Sequence, residues 1–348
     1  MNSIFTYLIS FLGSFLTIPI FKKIAFRFSI LDLPSQRKMH QEAKALLGGA
    51  AVYFGFLCGI FSNQAYLPKI LPLLASATLI FLVGLLDDIR GLGPQIRLVF
   101  QVVASAIIIF ACDRINFLPV SAWGDVLEIV ITFIWLVGIT NAYNYLDGLD
   151  GLASMSLLIH SLFFCILLYG SKQYFLMIVL LSIGGATLGF IPYNIYRARI
   201  FLGDSGSTLL GFVLAATAVV GHWAQDNIVK ITIPILILGV PIYDMTFTTI
   251  MRVKERKIKT VAEWLKFAGK DHFHHYLVSL DLSVLTVVFF ISVINLLLGI
   301  NALLIANGRM YNAILSLLQS ALIFVIITIL LVRGRSKEIL QTERRQEG

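Results

Sequence analysis

The 348-residue chain is 58% hydrophobic and only 13% charged, with a mean hydropathy of +0.88 and a formal net charge of +8. Soluble domains carry about 25% charged residues, so soluble dehydrogenases, secreted scaffolds and nucleic-acid-binding domains are excluded. The positive excess is read as membrane orientation, with no nucleic-acid partner.

Apolar runs long enough for a hydrocarbon core of about 30 Å predict an all-α, polytopic helical membrane protein. Eleven transmembrane helices are expected, near 3–21, 46–62, 70–86, 98–112, 127–142, 152–169, 174–192, 207–222, 229–250, 283–305 and 312–332. The first run, Ile4 to Phe21, has no basic residue before it and Lys22-Lys23 directly after it, with no small-x-small cleavage pattern. It reads as a retained span with the N-terminus outside. With alternating loops, all the Lys and Arg but Lys69, Arg114, Lys172, Lys230 and Arg309 fall on one side, which is therefore expected to be cytoplasmic, as is the C-terminus. The acids crowd the same side: only Asp113, Asp125, Glu128 and Asp226 lie on the other. Residues 1–332 are expected to form one integral membrane domain, and 333–348 a polar cytoplasmic tail. Cys58, Cys112 and Cys165 stand singly in apolar runs and are expected to pack as small hydrophobes.

Several inner loops carry chemistry-bearing residues. The first holds Arg37, Lys38 and His40, read either as orientation charges or as phosphate contacts. Asp87-Asp88 closes the third span; helical neighbours diverge by about 100°, so the pair suits two roles better than one shared grip. In the segment Asn141–Gly151, Asn141, Asn144, Asp147 and Asp150 recur every three residues without a Lys or Arg nearby. Such uncompensated acids want a metal or a distant cation. Phe201–Ser207 places Asp204 at an expected helix N-terminus, where backbone N–H groups receive phosphate, with Arg197 and Arg199 upstream. Asp244 is a costly acid inside a span. His272, His274 and His275 sit in the basic loop 251–282, whose Val261–Phe267 stretch is expected to form an interfacial helix carrying Trp264. Mid-span His160 is read as a hydrogen-bonded packing residue. Oxygen ligands, amides and cations on one membrane face are the equipment for a Mg²⁺-dependent reaction on a phosphate or diphosphate with a lipid reactant. A secondary transporter would place its ionisable groups near the midplane and show repeats; neither is present.

In order and sidedness, these motifs resemble the polyprenyl-phosphate N-acetylhexosamine-1-phosphate transferases, from Asp32–His40 to His272–His275. The resemblance implies transfer of a sugar 1-phosphate from a UDP-sugar to polyprenyl phosphate at the inner membrane, releasing UMP. The His-x-His-His pattern is similar to the branch that uses UDP-N-acetylglucosamine to start cell-envelope polysaccharides. Another UDP-N-acetylhexosamine, or UDP-N-acetylmuramoyl-pentapeptide, is the alternative. It implies Mg²⁺ (or Mn²⁺) on Asn144 and Asp204, and catalytic roles for Asp87, Asp88, Asp147, His272, His274 and His275. Uracil stacking falls to Phe201 and a uracil contact to Asp150, while Arg37, Lys38, His40, Asn141 and Asp244 fall to substrate binding. A homodimer is compatible with the sequence. The chain departs from the family at Gly91, where a third acid often follows the pair, and at Tyr276, where a basic residue often stands.

Overall fold

A computed structural model describes residues 3–34, 42–118, 121–260, 263, 267, 269 and 271–347, with 332 and 334–347 described by their backbone alone. Arg37, Lys38, His40 and Trp264 lie outside the described residues, as does most of the expected Val261–Phe267 helix. In chain order the elements are α1 (Ser3–Arg27), β1 (Leu31–Asp32), β2 (Lys44–Ala45), α2 (Gly48–Phe61), α3 (Leu67–Arg90), α4 (Pro94–Ala111), α5 (Ala122–Leu146), α6 (Leu152–Gly170) and α7 (Tyr174–Asn194). Then follow α8 (Gly203–Val220), α9 (Asn227–Ile237), α10 (Gly239–Lys254), α11 (Phe273–Ser279), α12 (Val284–Ile305) and α13 (Met310–Glu347). The two strands make one small antiparallel ladder between α1 and α2.

The expected all-α membrane architecture is present. Among the described residues, nine helices are long and apolar enough to cross a bilayer. Two of the eleven expected crossings take other forms. The 229–250 segment is broken into α9 and α10, bent by 74°. Pro241, near the start of α10, has no N–H to continue the ladder back to Ile237, and Leu238 leaves helical geometry at φ −92°, ψ 21°. The other, α2, has only 14 residues. Its first two N–H groups, on Gly48 and Gly49, donate to the carbonyls of Phe201 and Leu202. The helix therefore starts inside the protein and ties down the chain entering α8.

The buried centre is α8, 89% buried over its apolar window and packed by α2, α3, α5 and α7; α13, at 17%, lies at the periphery. A separate apolar cluster joins α10, α11 and α12 through Phe247, Phe273, Leu277 and Ile291. The helical backbone of α13 continues through the expected polar tail to Glu347. Of the cysteines, Cys58 and Cys165 are half-buried, whereas Cys112 is exposed just beyond α4.

Candidate active site

The end of α3, the end of α5, the start of α8 and the turn after α7 converge on a cavity of about 1360 Å³. That exceeds the roughly 300–1,000 Å³ of ordinary small-molecule pockets and leaves room for two substrates. Asp87, Asp88, Asn144, Asp147, Asp150 and Asp204 line it, as do Lys22, Lys44, Arg197, Arg199, Phe201 and His275.

Adjacent Asp87 and Asp88 reach different partners. Asp88 accepts the backbone N–H groups of Asp204 (2.7 Å) and Ser205 (3.0 Å). Those are the helix-start donors expected to receive phosphate; the anion occupying them is Asp88, which caps α8 from across the cavity floor. Gly203, which opens α8 at φ +74°, has no room for a Cβ, because one would stand 2.6 Å from Asp88 Oδ2. Asp87 instead accepts the Leu92 N–H (2.5 Å) and an Arg97 N–H (2.7 Å). Gly91, at φ +66°, ends α3 in the left-handed conformation that directs the Leu92 N–H to Asp87.

Asp204 is held from both sides. Its Oδ1 accepts the Asn144 amide (2.5 Å) and its Oδ2 accepts Arg97 Nη1 (3.1 Å). Asn144 also donates to Ser207 Oγ (2.9 Å). Asp150 accepts the Ala198 N–H (2.9 Å), fixing the turn that carries Arg197 and Arg199. Asp147, in the turn after α5, has its carboxyl pushed well above the usual carboxylate range. Burial is the main cause, and the Asp204, Asp88 and Asp150 carboxylates add to it.

Among the described residues, four expected site residues do not line the cavity. Asn141 exchanges hydrogen bonds with Gln101 on α4 (2.8 and 3.3 Å). Asp244 is fully buried, accepting the Phe273 N–H (2.5 Å) and facing His272 Nδ1 at 3.1 Å. His272 is thereby fixed at the start of α11, beside Arg252, whose guanidinium makes a two-pronged pair with Asp271 (2.7 and 2.9 Å). Burial opposes ionisation of Asp271, yet the Arg252 hydrogen bonds hold its carboxyl below the ordinary range. His274 is fully buried behind Gly148; among the described residues neither ring nitrogen has a hydrogen-bond partner, and Nδ1 faces Asp244 Oδ2 at 3.8 Å. Burial pushes its pKa down to about 3, so it is neutral. Of the three histidines only His275 reaches the cavity wall.

Sequence reasoning read Arg97 only as an orientation charge. One signal for it was present: a cation in the first turn of α4, at the positive end of the helix dipole, is unfavourable unless a carboxylate faces it. Among the described residues no three His, Cys, Asp or Glu side chains form a closed metal cage. A Mg²⁺ site needs only one or two carboxylates when substrate phosphates and water complete the shell. The oxygen donors of Asp204, Asn144 and Asp87 fit that requirement.

A family model described as glycosyl transferase family 4 matches residues 70–222, the stretch that contributes Asp87, Asp88, Asn144 and Asp204. A probable undecaprenyl-phosphate N-acetylglucosaminyl 1-phosphate transferase of Bacillus subtilis (strain 168) is 31% identical over 312 residues, 88% of this chain and 85% of the relative. The chain belongs to glycosyl transferase family 4. It is a multi-pass membrane transferase of the polyprenyl-phosphate sugar-phosphate type. An undecaprenyl-phosphate alpha-N-acetylglucosaminyl 1-phosphate transferase of Thermotoga maritima is 32% identical over 70% of this chain and 73% of its own length. A phospho-N-acetylmuramoyl-pentapeptide-transferase of Streptococcus sanguinis is also similar, at 31% over 62% and 72%.

Proposed function

We propose that this family 4 transferase moves N-acetylglucosamine 1-phosphate from UDP-N-acetylglucosamine to undecaprenyl phosphate at the cytoplasmic face of the inner membrane, releasing UMP. The product is the lipid-linked sugar that starts a cell-envelope polysaccharide. The observation that carries this reading is the cavity itself: hard oxygen donors on Asp87, Asn144 and Asp204, and cations on Lys22, Lys44, Arg197 and Arg199, line one space large enough for two phosphate-bearing substrates.

In this reading Asp204 and Asn144, with Asp87, would hold a Mg²⁺ ion, whose chemistry there would be to supply positive charge against a diphosphate. The chain's own groups do the positioning. Asp88 holds the start of α8, and with it the backbone of Asp204. Asp150 Oδ2 is taken by the Ala198 N–H, leaving Oδ1 for a uracil N–H, with Phe201 beside it on the cavity wall. Lys22, Lys44, Arg197 and Arg199 bring positive charge to the two phosphate groups. The lipid phosphate monoester has a second pKa near 6, so at neutral pH it is already largely dianionic. Orientation and charge neutralisation then matter more than a strong base.

The test is UMP release by the purified protein in nanodiscs with polyprenyl phosphate and Mg²⁺. UDP-N-acetylglucosamine is expected to be the best donor against UDP-N-acetylgalactosamine, UDP-N-acetylquinovosamine and UDP-N-acetylmuramoyl-pentapeptide. Turnover with the pentapeptide donor alone would replace this reading by the muramoyl one. Undiminished turnover after chelation of divalent ions would remove the metal from it.

A further inference from the structure

Each carboxylate oxygen of Asp87 and Asp204 already accepts a hydrogen bond. Asp87 spends Oδ1 on the Leu92 N–H and Oδ2 on Arg97; Asp204 spends Oδ1 on Asn144 and Oδ2 on the same Arg97 nitrogen. A single guanidinium nitrogen, 2.7 Å from one carboxylate and 3.1 Å from the other, therefore sits where a bridging cation would sit. Two positive centres cannot share that position: a divalent ion on Asp204 Oδ2 would meet Arg97 at contact distance. The Arg97 side chain is 28% exposed, so it has solvent-facing space into which to withdraw. Asp87, by contrast, is buried and would be left as an uncompensated charge without a cation.

We propose that Arg97 is the resident counter-ion of the metal-free site and competes with the divalent cation for Asp204. The cation then binds tightly only when a nucleoside diphosphate gives the guanidinium another anion. Metal and nucleotide binding are coupled through one side chain, and the coupling is reciprocal. This inference rests on the reading of Asp204 as a metal ligand, and the experiment separates the two.

The probe is Mn²⁺ alone, followed by electron paramagnetic resonance on wild-type, Arg97→Met, Arg97→Lys and Asp204→Asn proteins in nanodiscs, without nucleotide and then with UDP-N-acetylglucosamine. Without nucleotide, Arg97→Met should bind Mn²⁺ about tenfold more tightly than wild type, within the 5–150-fold range of typical couplings. Arg97→Lys keeps the charge and should stay near wild type. Nucleotide phosphates complete the shell in both proteins, so nucleotide should tighten Mn²⁺ binding to both, by a larger factor in wild type than in Arg97→Met. Thermal unfolding guards against a folding defect: Arg97→Met should lose stability without metal and regain more of it on Mn²⁺ addition than wild type does. Equal nucleotide-free Mn²⁺ affinity in wild type and Arg97→Met, abolished by Asp204→Asn, would overturn the competition while leaving the metal site standing. Mn²⁺ binding that survives Asp204→Asn, or is absent from every protein, would overturn the metal reading and this inference with it.

Discussion

Asp87 and Asp88 show how much one peptide bond separates. With directions about 100° apart on a helix, one side chain meets Arg97 and the other caps α8. Asp88→Asn keeps one acceptor but removes the anion from a helix N-terminus. It should lower thermal stability, by about 1–2 kcal/mol, and reduce turnover through displaced Asp204. Asp87→Asn should lose turnover with a smaller fall in melting temperature. Unfolding curves and UMP release measured on both variants check this; equal losses of stability would remove the distinction. His274 supplies a pH test. Its folded pKa of about 3 lies below the ordinary 6.5, so on acidification the unfolded chain takes up the proton first. Its contribution to stability is full above pH 6.5 and is lost as pH falls towards 3. At pH 5 the loss approaches about 2 kcal/mol. His274→Leu should therefore narrow the difference in melting temperature between pH 8 and pH 5.

At the scale of elements, α11 has seven residues, too few to be stable alone. It is held by Asp244 at its first turn, by the Arg252–Asp271 pair before it, and by the apolar cluster beneath it. Arg252 is 1% exposed, so Arg252→Met leaves Asp271 as a nearly buried, unpaired charge. The single variant should lose about 3–5 kcal/mol, and Arg252→Met with Asp271→Leu distinctly less; comparative thermal unfolding decides. The His-x-His-His pattern was visible in the sequence, but its helix was not, because seven residues carry no usable periodicity. The hydropathy run over 229–250 was equally real, yet the bend at Leu238 was hidden: each half is apolar, and a span average does not register one missing hydrogen bond at Pro241.

Over the whole molecule, Asp87, Asp88, Asp147, Asp150 and Asp204, which hydropathy assigned to the ends of different spans, line a single cavity around the buried start of α8, whereas Asp244 lies buried behind it. The proposed orientation follows from the Lys and Arg distribution. A fluorescent reporter fused after Gly348 should be active in the cytoplasm, and alkaline phosphatase at the same place inactive; the reverse pair would invert the molecule and place the cavity outside. Truncating the helical extension after Arg333 should leave UMP release unchanged, since the described walls of the cavity come from residues 22–284.

Hydropathy and charge asymmetry were sufficient for the all-α membrane architecture, and the Asn/Asp motifs pointed to Asn144, Asp147, Asp150 and Asp204, four of the residues that line the cavity. These are properties of local composition: apolar surface must meet lipid or other helices, and backbone polar groups must be satisfied within the helix. What only the tertiary structure decided is which polar groups meet. Asp88 with the α8 backbone, Arg97 with Asp87 and Asp204, Gln101 with Asn141, and Asp244 with His272 are pairings between helices. Their geometry depends on how helices cross and on the close approach allowed at Gly203. A one-dimensional pattern carries no such angles. It shows that a buried acid needs a partner, and the fold decides which residue that partner is.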